Sequence, residues 1–243
     1  MINIVDKVEI PYDPSWGNIA ISMSGGADST ILAYLLCDMI KQNDNSTAVH
    51  VINHVRMWQT RPWQEYDALR IYEVLCEMFP QIIFHRHVNF IPPDLEYGVS
   101  GPTIKDAYGR TVSGDNIAKR SFAEYVCKKF SVDCHYNGVT KNPPVQIRGA
   151  MTERELTKNE SNTHLEFTTH MGIFVSHPLR FVDKSWVYRQ YRDNGLLELF
   201  EQTRSCEGEF DGLDYKSYGP YQPVPVCGKC FWCVEREWSI KNA

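Results

Sequence analysis

The chain has no run of apolar residues near the roughly 18 that a membrane-crossing helix needs, which excludes an integral helical span. It has no internal repeat and no low-complexity tract, so neither a solenoid nor a tail-like polymer is expected. Positive charge is not in excess: 25 Lys and Arg stand against 30 Asp and Glu, a formal net charge of -5. A generic nucleic-acid binder needs concentrated Lys and Arg, so no nucleic-acid partner and no membrane partner are expected. The opening Met1-Ile2-Asn3-Ile4-Val5-Asp6-Lys7 lacks a basic segment followed by an apolar one, so no secretory signal is read. Eight cysteines then fit a reducing, cytoplasmic compartment better than a disulfide framework. What is present, 243 residues of which 43% are hydrophobic, suffices for the core of one main domain.

The most informative segment is Ser24-Gly25-Gly26-Ala27-Asp28-Ser29, set between apolar Ile19-Ala20-Ile21-Ser22-Met23 and amphipathic Thr30-Ile31-Leu32-Ala33-Tyr34-Leu35-Leu36. Strand, glycine turn and helix in that order make an anion cradle. Adjacent glycines let successive N–H groups face one anion, and the helix adds its positive N-terminal end. Ser24 and Ser29 offer hydroxyls and Asp28 a carboxylate suited to Mg2+. The loop contains no lysine, which excludes the Walker design. An ordinary strand-to-helix turn uses the same residue types, so the loop alone does not decide.

Near the other end, Cys227-Gly228-Lys229-Cys230-Phe231-Trp232-Cys233 places three cysteines at two-residue spacing, with Cys206 upstream. Four thiolates suit a closed tetrahedral Zn2+ site, which would crosslink a tail rich in Pro220, Pro223 and Pro225. An iron–sulfur cluster uses similar spacing and is the alternative. Cys37, Cys76, Cys127 and Cys134 fall in apolar segments and read as buried thiols.

Between these ends strand and helix patterns alternate, the signature of an α/β, Rossmann-like, doubly wound parallel sheet of about five strands. Strands are expected at 19–23, 48–52, 82–84, 132–136 and 172–175, and helices over 64–79, 116–130 and 183–193, the last ended by Gly195. Ligands of such sheets sit at the C-terminal ends of the strands, which places the glycine loop, Asn53, Asn137 to Lys141 and His177 on one rim. The stretches 89–115 and 142–170 read as long loops, the first as a lid and the second as an insertion. The expected division is an α/β domain over 1–200 that carries the glycine loop and a zinc-binding tail over 201–243. His50, His54, His85 and His87 lack ligand spacing and read as packed residues, while Trp58, Trp63 and Tyr66 suit ring stacking, core packing or a homodimer contact.

Ser-Gly-Gly-x-Asp-Ser after the first core strand resembles the PP-loop of the N-type ATP pyrophosphatases. Joined to Thr203-Arg204-Ser205-Cys206, to the cysteine knuckle and to Pro178-Leu179-Arg180-Phe181-Val182-Asp183-Lys184, it is most similar to the 7-cyano-7-deazaguanine (preQ0) synthases. The resemblance implies an adenine nucleotide alpha hydrolase-like fold and an AMP-forming ligase using ATP, Mg2+ and Zn2+. A 7-deazaguanine carboxylate would be adenylated, ammonia would displace AMP, and a second ATP would drive dehydration to the nitrile. It implies that Ser24, Gly25, Gly26, Asp28, Ser29, Asn53 and Lys184 bind the nucleotide, that Asp28, Ser29 and Lys184 serve the chemistry, and that Cys206, Cys227, Cys230 and Cys233 hold the metal.

Two segments depart from the family pattern. Its Val-Pro-Gly-Arg-Asn is matched loosely by Val112-Ser113-Gly114-Asp115-Asn116, which lacks the arginine, and its Tyr-Pro-Asp-Cys-Arg has no counterpart between Thr140 and His170. Both face substrate in the family, so the acceptor pocket is expected to be rebuilt, with Asn116, Arg110 or Arg120 recognising a heterocyclic or other small carboxylate. Asn116 also reads as a helix cap, and Arg180 reads either as a second contact to the phosphate anion or as a surface ion pair. The alternatives are a sulfur-transferring tRNA-modifying relative, which needs a cysteine near the ATP site, and a non-catalytic nucleotide-binding or protein-docking module.

Overall fold

The computed structural model describes residues 2–5, 8–43, 46–57, 63–95, 104–105, 111–112, 114–148, 165–168, 172–207 and 226–243. An antiparallel pair, β1 (Ile2–Val5) and β2 (Val8–Pro11), leads into β3 (Asn18–Ser22), whose alternate residues face two different helical layers. Ile19 and Ile21 pack with Ile31, Leu32 and Leu36 of α1 (Ala27–Gln42), whereas Ala20 faces the opposite cluster. The chain then runs outward through β4 (Ala48–Arg56), α2 (Gln64–Met78) and β5 (Phe84–Ile91). A 3-10 turn at Pro93–Leu95 and a short antiparallel pair, β6 (Ile104–Lys105) and β7 (Thr111–Val112), precede α3 (Gly114–Lys129).

From α3 the chain crosses back to β8 (Cys134–Asn137) on the other side of β3. It continues through α4 (Val145–Arg148), β9 (Leu165–Thr168), β10 (Ile173–Ser176), α5 (Lys184–Asp193), α6 (Leu197–Gln202) and finally α7 (Phe231–Lys241). The main sheet has the order β5-β4-β3-β8-β10-β9. Five of its strands are parallel, and β9 pairs antiparallel at the edge. The order reverses between β3 and β8, which opens a crevice at their C-terminal ends. Helices α1, α2, α5 and α6 share one apolar core, and Ala123, Val126 and Cys127 of α3 pack with Ala20, Ile52 and Ile173 on the other face. The sheet is therefore doubly wound, the α/β class the alternation predicts.

Several boundaries differ from expectation for one reason. β4 runs on through Asn53 to Arg56, and β5 begins at Phe84 rather than ending there and continues to Ile91. Both extensions carry His, Arg and Asn, because these strand ends border the crevice or the sheet edge, and apolar runs do not mark them. Consequently 89–115 is not one loop: Asn89 to Ile91 complete β5, and the 3-10 turn and β6–β7 pair follow. Likewise 142–170 contains α4 and the edge strand β9. The lid expected at 89–115 and the insertion within 142–170 fall largely outside the described residues. No helix among the described residues is long and apolar enough to cross a membrane.

Candidate functional site

The glycine loop joins β3 to α1 at the crevice, and its glycines are required by close packing. Gly25 has φ +77, and a Cβ there would lie 2.7 Å from the backbone carbon of Asp67. A Cβ on Gly26 would stand 2.9 Å from Ser205 Oγ, and one on Gly138 would come within 2.8 Å of the Ser29 backbone. The loop is thus wedged between α2, the turn after β8 and the segment after α6. Gly26 occupies the N-cap position of α1 without a side-chain cap, so the helix's first N–H groups remain turned toward the crevice. Ser29 Oγ donates to Gly26 O and accepts from Ser24 N–H, which holds the turn closed. Arg204 N–H donates to Gly25 O at 2.9 Å, tying Thr203 to Cys206 directly to the loop.

Lys184, at the start of α5, is 5% exposed and stands 3.5 Å from Asp28 Oδ2. It also stands 3.3 Å from Glu235 of α7, which is fully buried, and its ammonium lies 5.3 Å from the centre of the Trp232 ring. Asp183 caps α5 by accepting from Ser185 N–H and Trp186 N–H, which fixes the turn that delivers Lys184. Thr140 Oγ1 donates to Asp28 Oδ2 at 3.3 Å. Asp28 Oδ1 is buried without a hydrogen-bond partner. A buried carboxylate oxygen left unsatisfied is a hard donor of the kind Mg2+ prefers, so the residues present fit that ion.

These groups border a cavity of about 400 Å³. Of the expected residues, Ser24, Gly26, Asp28, Ser29 and Lys184 line it. Asn53 does not. It is fully buried, donates to Met23 O and accepts from Arg86, so it supports the loop's entry strand from behind. Asn116 and Arg120 are exposed on α3 and are not among the lining residues, and Arg110 lies outside the described residues. Asn137 to Thr140 line the cavity as the rim reading predicts, whereas His177 begins the turn after β10, its carbonyl accepting from Arg180 N–H. Ser22, His54, Arg56, Lys119, Arg204, Glu207 and Trp232 line it without having been singled out as ligands of the site. A signal was present for His54 and Arg56: they continue β4 past its apolar run with the strand's own alternation.

The four expected cysteines come together in the tail. Their sulfurs all lie within 4.8 Å of one another, with Cys227 to Cys233 and Cys206 to Cys230 each at 4.0 Å. Four thiolates about 2.3 Å from one ion lie about 3.8 Å apart in a tetrahedron, so the set fits a single Zn2+ more closely than a larger cluster with metal and sulfide between the thiolates. Burial pushes the Cys227 thiol up, but N–H donation from Lys229 and Cys230 and contacts with Cys206 and Cys230 outweigh it and bring it to about 6. α7 starts inside this cluster, with Cys230 at its N-cap position. Arg236 then straps α7 to α6, donating to Phe200 O and Thr203 Oγ1 while lying 3.7 Å over the Phe200 ring. The cluster and this strap together set where Trp232 and Glu235 meet Lys184.

No family model matches the sequence, and no curated protein matches it. Among the solved structures that resemble the fold are the following three. U34-tRNA thiolase NcsA from Methanococcus maripaludis with its 4Fe-4S cluster is 16% identical, covers 92% of this chain and 63% of its own, and gives a TM-score of 0.44. The phosphate complex of phosphoadenylyl-sulfate reductase from Candida auris is 16% identical, with 80% and 81% coverage and a TM-score of 0.42. NMN synthetase from Francisella tularensis is 14% identical, with 92% and 77% coverage and a TM-score of 0.42. The chain thus spans 63% of the length of the thiolase. At these scores the likenesses concern chain trace alone.

Proposed function

We propose that the chain is an ATP-dependent, AMP-forming ligase of the 7-cyano-7-deazaguanine synthase type. It would adenylate a 7-deazaguanine carboxylate, or a related small carboxylate, for attack by ammonia or an amine. The observation that carries this reading is the convergence at one crevice of the wedged glycine loop, the buried Lys184 and Asp28 with its unsatisfied Oδ1. The loop N–H groups and the α1 N-terminus would hold the β and γ phosphates, with Lys184 and Arg204 adding charge. When bound at Asp28, Mg2+ would neutralise charge on the departing pyrophosphate. A carboxylate oxygen attacks the α phosphorus, forming the acyl–phosphate bond as the bond to the β phosphate breaks. Ammonia then forms the amide bond and expels AMP, so no enzyme side chain becomes covalently attached. The Cys206, Cys227, Cys230 and Cys233 site would hold Zn2+ in a structural role.

No cysteine is among the cavity's described lining residues. Cys37 and Cys134 are fully buried, and burial raises both thiols well above the ordinary range, so neither favours sulfur transfer. The test is product identity. Incubation with ATP, Mg2+, 7-carboxy-7-deazaguanine and ammonium should release AMP and pyrophosphate. Asp28→Ala should lower the rate by roughly a hundredfold or more while the circular dichroism spectrum is retained. Release of ADP and phosphate would overturn the proposal.

A further inference from the structure

The sheet face that packs on α3 is apolar over most of its length, with Ala20, Ile52, Ala123, Val126, Cys127, Val132 and Ile173 in one buried cluster. At the C-terminal ends of the strands the same face changes character. Ser22 follows Ala20 at the two-residue strand period, His54 and Arg56 follow Ile52, and His135 on β8 accepts or donates a 2.9 Å hydrogen bond with Ser22 Oγ. Packing a helix on a sheet requires no such polar patch, and local breaks from the apolar pattern concentrate where a ligand is held. Ser22, His54, Arg56 and, from α3, Lys119 all line the cavity, at the opposite side of β3 from α1.

The hydrogen bonds fix the protonation of His54. Asn89 Nδ2 lies 3.4 Å from Ala118 O, a group that only accepts, so this atom is the amide nitrogen. The same nitrogen lies 3.2 Å from His54 Nδ1, which therefore accepts, and the ring proton sits on Nε2. Burial, with Lys119, His135 and Arg56 adding repulsion, lowers the His54 pKa to about 3, so the ring is neutral at working pH. Its Nε2–H has no partner among the described residues.

We infer that this α3-side end of the cavity is the acceptor subsite, and that His54, through Nε2–H, selects an acceptor presenting a carboxylate oxygen, with Lys119 and Arg56 as flanking cations. The inference rests on the adenylating-ligase reading and deepens it, moving acceptor recognition from the exposed Asn116 and Arg120 to residues that line the cavity. A neutral N–H donor pairs with an oxyanion and cannot pair with an ammonium, which has no lone pair; Lys119 and Arg56 beside it are each ion-paired, with Asp115 at 2.7 Å and with Glu207 at 3.9 Å, so the N–H donor carries the discrimination.

The experiment is calorimetric titration of wild type, His54→Phe, His54→Gln and Lys119→Met with three probes: 7-carboxy-7-deazaguanine, its 7-aminomethyl counterpart and α,β-methylene-ATP. Wild type should bind the acid at least about tenfold more tightly than the amine. His54→Phe and Lys119→Met should each weaken acid binding by about tenfold to a hundredfold, while α,β-methylene-ATP binding changes by less than about threefold. His54→Gln, which keeps an N–H donor, should recover most of the acid affinity. Absence of acid binding by wild type, equal affinity for acid and amine, or unchanged acid binding by His54→Phe would each overturn the inference. Failure of wild type to bind α,β-methylene-ATP would count against the ligase reading itself, and the His54 assignment would still be decided by the acid titration.

Discussion

Lys184 sits between two carboxylates, and one of them, Glu235, has no access to solvent. Removing the ammonium takes an ion-pair partner from a buried carboxylate, a change that costs about 3–5 kcal/mol in comparable pairs. Lys184→Met should therefore lower both stability and turnover. Adding Glu235→Gln should restore much of the stability without restoring turnover, because the neutral amide no longer needs the cation while, on the proposed function, bound phosphates would. Urea denaturation and AMP release on the two single variants and the double variant separate these effects; equal activity in the double variant and wild type would show that Lys184 serves packing alone. At this scale much of the site was readable. Ser24, Asp28, Ser29 and Lys184, all picked out by short motifs, line one cavity, since such motifs report local geometry directly. Asn53 was expected on the rim just past its strand; β4 instead runs on through it, and alternation turns it into the protein, behind the loop.

The element that most affects the site from a distance is α7. Its first residue follows Cys230, its fifth is Glu235, and Arg236 binds the C-terminal end of α6. One metal ion at the cysteine cluster would set the start of this helix and so the height of Glu235 beside Lys184. Elemental analysis should find about one zinc per chain and little iron. Chelation or Cys230→Ser should raise deuterium uptake across 226–241 with little change in β3 and α1. Protection unchanged after complete removal of metal would show that Arg236 and the α5 contact suffice. The cysteine set was legible because its spacing is nearly local, whereas the Glu235–Lys184 pair, 51 residues apart in sequence, was not. Edge strand β9 was missed for a related reason: four residues, Leu165–Thr168, are too few for periodicity to register without their partner β10.

Across the whole molecule, the sheet carries an unusual load of histidine on the α3 side. His50 stacks on His85 and His87 and is hydrogen-bonded to His87 and Asn18, while His54 and His135 lie nearer the crevice. Burial lowers His50 and His135 to about 4 and His54 to about 3, and lowers His87 as well. These rings are neutral when folded and take up protons near pH 6.5 when unfolded, so the unfolded state binds more protons between those values. Stability contributed by the neutral rings is present above pH 6.5 and is lost as pH falls toward 4, at up to about 1.4 kcal/mol per pH unit for each proton taken up. Denaturation free energies measured at pH 7.5, 6.5 and 5.5 should decline below 6.5, and His50→Phe should flatten the slope. A flat profile for wild type would show that these imidazoles titrate alike in the folded and the unfolded chain. The parallel sheet and its strand order follow from alternating patterns that any such fold repeats. The histidine stack depends on the register of β4 against β5, which pairs His50 with His85 and Ile52 with His87, and no single segment carries that register.

Trp232 deserves a last consequence, because it lines the cavity with the Lys184 ammonium 5.3 Å from the centre of its ring. A cation over an indole perturbs the excited state of that ring, and on the proposed function Lys184 would reorient as it turned to a polyphosphate. The molecule therefore contains an intrinsic fluorophore beside its central lysine, so filling the crevice changes emission as the charge leaves the ring. Of six tryptophans in the chain, this is the one among the described lining residues, so a Trp232→Phe variant isolates its signal from the rest and turns nucleotide arrival into a stopped-flow measurement that needs no added label.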